Sequence, residues 1–201
     1  MISDTLDLPE LLIKKGLPFA IYSFPRKNNF QLVIQKDTVL KEINIEDINT
    51  ASGFVIADFE SANTGIARVV RSDFFISENA IPDKLIDFKH TIEDKENLCI
   101  RDNISSSKDE YLNRVEYLIE CLKSGKLEKV VYSRVINKQL EEDLDLNKFL
   151  RSLRIKYKDA FVNMFHIPDV GTWVGASPES FFRLINNNYY SESLAGTKVI
   201  T

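Results

Sequence analysis

Four places in this sequence carry residue types suited to chemistry: Lys129, His166, Glu179 and the run Leu194-Ala195-Gly196-Thr197. Lys129 opens an apolar stretch that reads as a strand over 129–140. Side chains alternate faces along a strand, so Lys129, Val131 and Ser133 share one face and Val130, Tyr132 and Arg134 the other. By pattern alone Lys129 is a lysine with its stem laid on apolar surface and its ammonium in water. To act as a general base it would need burial or neighbouring positive charge to lower its pKa. Glu179 follows Ser177-Pro178 where a strand meets a turn, and by pattern alone it is an exposed carboxylate near a helix or turn start. As a general acid it would need the opposite shift, upward. His166 lies in a β-like run and reads as a core or edge histidine with a satisfied hydrogen bond. Gly196 either makes a bend or lets backbone approach a ligand.

The elements that must position these residues are legible from periodicity and punctuation. Residues 8–15 suggest a short helix, with Pro9 tolerated in its first turn. Runs rich in β-branched and aromatic residues follow at Phe19–Phe24, Phe30–Gln35 and Gly53–Phe59, bounded by Pro, Asn or Gly. Residues 83–106 are polar and irregular. The clearest helix comes next. Ser107 and Glu110 have the spacing of a capping box, and Tyr111, Leu112, Val115, Leu118, Ile119 and Leu122 recur at helical spacing before Gly125 ends the run. A second helix covers about 144–157, with Leu146, Phe149, Leu150 and Leu153 on one face. Strands at Phe161–Ile167 and Thr172–Ala176 surround a turn, and Phe181–Ile185 and Tyr189–Leu194 flank Asn186-Asn187-Asn188, a type of run that tolerates left-handed geometry. Strands, helix, strand, helix, then hairpins argue for an α+β fold with mostly antiparallel sheet and flanking helices.

Bulk properties exclude several classes. The chain has 201 residues, of which 44% are hydrophobic and 28% charged, and a formal net charge of −4. That is ordinary for a globular protein with a sizeable core. No global basic field draws nucleic acid, and the longest apolar runs are far too short to cross a bilayer. The first residues include Asp4, Asp7 and Glu10, unlike a signal peptide. Cys99 and Cys121 make neither a metal-ligand spacing nor a disulfide scaffold, so a reducing, cytoplasmic setting is expected. Cys121 reads as a buried free thiol. There is no Gly-rich phosphate loop, no His-based metal motif and no Gly-x-Ser-x-Gly elbow.

Three motifs in order resemble a known family. Gly125–Arg134 (GKLEKVVYSR) is similar to the Gly-x-x-x-Lys-Val-Val-Leu-Ser-Arg signature of isochorismate synthases, with Tyr132 where leucine is usual. Phe165–Glu179 (FHIPDVGTWVGASPE) resembles the family's strand–turn–strand ending in Gly-Ala-Ser-Pro-Glu. Ser193–Thr197 (SLAGT) resembles its Leu-Ala-Gly-Thr substrate loop. The likeness is strong over 107–201 and looser over 1–106, where a Gly-Phe-x-x-Ala run at Gly53–Ala57 agrees.

The resemblance implies a chorismate-using enzyme that converts chorismate to isochorismate. Lys129 would be the base that activates water for attack at ring C2. Glu179 would be the acid that helps the C4 hydroxyl leave, and Ala195, Gly196 and Thr197 would contact the substrate. Lysine at 129 points to water rather than ammonia as nucleophile. It also implies Mg²⁺, a hard cation held by carboxylates and substrate oxygens, for use in menaquinone or siderophore biosynthesis. The family's two metal-holding glutamates, its carboxylate-gripping arginine and its glycine-rich contacts follow Leu-Ala-Gly-Thr, and this chain ends at Thr201. No metal ligand is therefore assigned here, and Glu192 is not placed by motif to serve. The expectation is one truncated chorismate-binding domain over 1–201, made of a β-rich part at 1–106 and the start of a catalytic core at 107–201. Such a chain should be silent by itself and prone to self-association. A fragment of a salicylate synthase, or a non-catalytic binding module on the same scaffold, are the alternatives.

Overall fold

The structure is a computed structural model that describes residues 8–77, 105–138, 144–168, 170–179 and 183–191. The chain divides into two compact units, Met1–Cys99 together with Asp145–Thr201, and Ile100–Leu144.

The larger unit is built on a five-stranded antiparallel sheet in the order β6-β2-β1-β7-β8, from Phe74–Ile76 (β6), Gln31–Ile34 (β2), Phe19–Ser23 (β1), Phe161–Ile167 (β7) and Gly171–Ser177 (β8). Period-two alternation decides which side chains enter the core. Phe19 and Ile21 of β1 face the same way as Leu32 and Ile34 of β2 and Val162 and Met164 of β7. Two helices cover this face, Leu8–Lys14 (α1) and Leu146–Lys156 (α4), adding Leu8, Leu12 and Leu150 to one buried cluster. α4 starts where the Asp145 carboxylate accepts a hydrogen bond from the Lys148 amide at 2.8 Å. Its last turn carries Arg154, 6% exposed, whose guanidinium donates to the carbonyls of Phe24 (3.2 Å), Tyr157 (2.5 Å) and Ala160 (2.8 Å). A charge reads as surface in sequence; here it is buried and spread over three backbone acceptors.

A smaller antiparallel sheet, in the order β3-β5-β4, comes from Lys41–Asn44 (β3), Gly53–Ile56 (β4) and Ile66–Arg71 (β5). A 3₁₀ helix over Ile45–Thr50 and a short helix over Ser61–Thr64 (α2) connect its strands. Gln35 ties the two sheets together. It is fully buried, its Nε2 donates to the carbonyls of Asp37 and Val39, both at 2.9 Å, and its Oε1 accepts from the Arg71 amide at 2.9 Å. Arg71 also pairs with Asp37, and with Asp73 at 3.5 Å. A hairpin of Arg183–Ile185 (β9) and Asn188–Tyr190 (β10) turns through Asn186 and Asn187, whose φ angles of 49° and 63° are the left-handed geometry expected there.

The smaller unit carries Lys108–Lys123 (α3). Its capping box is complete: Ser107 Oγ accepts from the Glu110 amide at 3.1 Å, and the Glu110 carboxylate accepts from the Ser107 amide at 2.9 Å. At the other end Gly125, with φ 73°, closes a Schellman turn in which its amide donates to the Leu122 carbonyl and the Lys126 amide donates to the Cys121 carbonyl. Cys121 is a buried free thiol.

The α+β class with mostly antiparallel sheet is thus what the chain adopts. The strand expected over 129–140 is a correction. Residues 129–138 make no ladder among the described residues, and 139–140 lie outside them. Alternation survives without pairing, because apolar patterning needs only a surface on one side whereas a ladder needs a second strand. The strand expected over Gly53–Phe59 stops at Ile56, and Phe59 is 91% exposed. The charged strand β3 (KEIN) has no counterpart in the sequence pattern.

Candidate active-site residues

Lys129 follows the Schellman turn by four residues and belongs to the smaller unit. From Leu127 the chain runs back along α3. Leu127 N donates to the Cys121 carbonyl (3.3 Å) near the helix end, and the Ser106 amide donates to the Val135 carbonyl (3.3 Å) before the helix start. Between these ties Tyr132 stacks on Tyr111, with ring centroids 5.3 Å apart and planes 16° from parallel. Lys129 itself is exposed.

Glu179 belongs to the larger unit, two residues beyond the end of β8, and is also exposed. Ser177 Oγ donates to its carbonyl at 3.4 Å. The β8 strand that delivers it has two different faces. Val174 and Ala176 pack on the core, while Trp173, Gly175 and Ser177 stand opposite Phe165, Asn163 and Phe161 of β7 on the other side. That second face carries a row of aromatic rings. Trp173 stacks on Phe165 (6.4 Å), Phe165 meets Phe54 of the smaller sheet (6.0 Å), Phe54 meets Tyr22 (5.6 Å), and Tyr22 meets Phe161 (5.8 Å). Partial burial in this row pushes the Tyr22 phenol above its ordinary value. The row is legible as alternation in Tyr22/Phe24 and Phe161/Phe165, but sequence reasoning singles out only the charged residues. The same holds for the Tyr111–Tyr132 stack.

His166 faces the core, 3% exposed, as its β-like run suggests. Its Nδ1 lies 3.0 Å from Thr172 Oγ1 and its ring stacks on Phe19 at 5.9 Å. Its Nε2 is buried with no hydrogen-bond partner among the described residues. Burial drives its pKa down from 6.5 to about 4. Such an imidazole stays neutral at physiological pH and faces no solvent, which suits a structural group better than a proton shuttle.

Ala195, Gly196 and Thr197, expected as substrate contacts, lie outside the described residues, as does Glu192. No three His, Cys, Asp or Glu side chains among the described residues are grouped to hold a metal ion. No described helix is long and apolar enough to cross a membrane. A cleft of about 330 Å³ lies over the smaller sheet, lined by Lys41, Ile43, Thr50 and Arg71 among others. It contains none of the motif residues.

A family model described as chorismate binding enzyme matches residues 25–200. That span includes Lys129, Glu179 and the Ala195–Thr197 run. No curated protein and no solved structure matches the chain.

Proposed function

The chain belongs to the chorismate-binding enzyme family, and from that premise we propose that it carries the acid and base of an isochorismate synthase. The observation that carries this reading is a lysine and a glutamate, at 129 and 179, each standing in a motif of the isochorismate type inside the matched span. The chemistry is an allylic exchange of oxygen. Lys129, unprotonated, takes a proton from water as its oxygen bonds to ring C2. The ring double bonds shift, and the C4 hydroxyl leaves as water with a proton from Glu179. One water enters and one departs, so the product is an isomer of the substrate.

Each role demands a shifted pKa, down for the lysine and up for the glutamate. Both side chains are exposed. Substrate binding must then supply the desolvation, and a dianionic ligand helps the glutamate hold its proton while working against a neutral lysine. Local burial of Lys129 in the complex is the requirement that follows.

The test is product analysis. The protein translated from the complete reading frame containing these residues is incubated with chorismate and Mg²⁺, and products are separated by chromatography. Isochorismate from wild type, with turnover lost in Lys129→Gln and in Glu179→Gln, is expected. Salicylate, detected by its fluorescence, would move the assignment to a salicylate synthase. Turnover that needs ammonia, or that survives both substitutions, would overturn the acid–base roles.

A further inference from the structure

We propose that Ser177 and Pro178 are positioning residues for Glu179, and that they form a stiff two-residue arm which sets its backbone before substrate arrives. This inference rests on the reading of Glu179 as the acid.

The arm has a fixed root. Ser177 is the last residue of β8 and lies opposite Phe161 of β7. The Phe161 ring meets those of Tyr22 and Phe24, both at 5.8 Å. One residue earlier, Ala176 packs on the core and lies opposite the fully buried Val162. Aromatic contacts on one face of the sheet and core packing on the other therefore hold the strand end.

Three restraints act over the step from that root to Glu179. The Pro178 ring locks its own φ near about −65°. The same ring crowds residue 177 and keeps it extended, which is the conformation it has at the end of β8. The main torsion left is ψ of Pro178, and a hydrogen bond spans it: Ser177 Oγ donates to the Glu179 carbonyl at 3.4 Å. This is a serine side chain closing a turn on nearby backbone. So long a bond in water is weak by itself. It suffices here because the proline has already removed most of the freedom.

The need for such an arm follows from exposure. Ser177, Pro178 and Glu179 are all exposed, so core packing does not hold the acid. An acid ordered only on substrate binding would draw on binding energy for its own placement. With the backbone set beforehand, only the torsions of the Glu179 side chain remain to be fixed.

The experiment uses the protein from the complete reading frame. Ser177→Ala removes the hydroxyl, Ser177→Thr keeps it, and Pro178→Ala frees the backbone. Steady-state rates are measured with chorismate and Mg²⁺. In parallel, ¹⁵N-glutamate labelling follows the Glu179 amide, assigned by its loss in Glu179→Gln, and relaxation gives its order parameter. Each alanine variant should lower kcat about threefold to tenfold with little change in KM, as loss of one exposed restraint on an acid should. The order parameter should lie near the rigid value of about 0.85 in wild type and fall in both alanine variants. Ser177→Thr should restore rate and order. Wild-type kcat in either alanine variant overturns the arm, and so does a fall in kcat with an unmoved order parameter. A change in KM alone, or a threonine variant no better than alanine, overturns it too. If Glu179→Gln keeps its turnover while the alanine variants lose order at residue 179, the acid reading is refuted and the arm stands.

Discussion

The buried imidazole of His166 should make the larger unit lose stability as pH falls through the range where an ordinary histidine titrates. The group is 3% exposed, and its pKa is held down at about 4 against 6.5 in an open chain. The cause is visible around the ring. Protonation would put a charge between Phe19 and the sheet, where no carboxylate pairs with it among the described residues. It would also add an N–H at Nε2, which has no hydrogen-bond partner among the described residues. Between pH 6.5 and pH 4 the unfolded chain therefore binds a proton that the native chain refuses. Stability rises with pH wherever the unfolded state binds more protons, so this contribution is complete above about pH 7.5 and is lost on descent to about pH 4.

A shift of this size corresponds to about 3 kcal/mol over the whole window, of which about 2.5 kcal/mol falls between pH 7.5 and 4.5. That is a large share of the roughly 5–15 kcal/mol that separates folded from unfolded domains. Urea unfolding at the two pH values, for wild type and for His166→Leu, isolates the effect. The leucine variant starts lower at pH 7.5, because Thr172 Oγ1 loses its partner. Its change between the two pH values should nevertheless be smaller than that of wild type by about 2.5 kcal/mol. Carboxylates whose pKa is lowered by hydrogen bonds, such as Glu110 on its own cap and Asp37 beside Arg71, titrate alike in both proteins and cancel. Parallel pH dependences in the two proteins, or an imidazole that titrates near 6.5 by NMR in the native state, would refute the reasoning.

Arg154→Met should destabilise by about 2–4 kcal/mol, because it strips three carbonyl oxygens of their shared donor. Arg154→Lys should recover only part of this, since an ammonium cannot reproduce the planar fork; denaturation midpoints report both. Gly53→Ala should cost at least about 2 kcal/mol. At φ 144° an added Cβ would stand 2.2 Å from the Val70 carbonyl oxygen and 2.9 Å from Val69 Cγ1. The loss should appear first as faster amide exchange in β4 and β5, and unchanged exchange there would count against it.

Where the sequence is legible, the determinant is local. Ser107 and Glu110 cap α3 as their spacing requires, Gly125 ends it in a left-handed turn, and Asn186-Asn187 turns the last hairpin. Each depends on atoms within a few residues. The features that leave no trace in the sequence pattern depend on distant partners. β3 is a charged tetrapeptide that becomes a strand only because Ile66–Arg71 pairs with it. Arg154 has the spacing of a surface charge, and its burial is decided by the carbonyl of Phe24, 130 positions away. The same division explains why the candidate acid and base stand out in the sequence. Lys129 lies four residues past Gly125, and Glu179 lies two past the last residue of β8. Both thus hang on element ends that local signals fix, and a motif can record so short an offset. The facing of Lys129 is different. Alternation predicts that residues 129, 131 and 133 point one way, but not which way. Tyr132 stacks on Tyr111, which lies on the far side of the Gly125 turn, and a contact at that separation has no signature in the spacing of either residue.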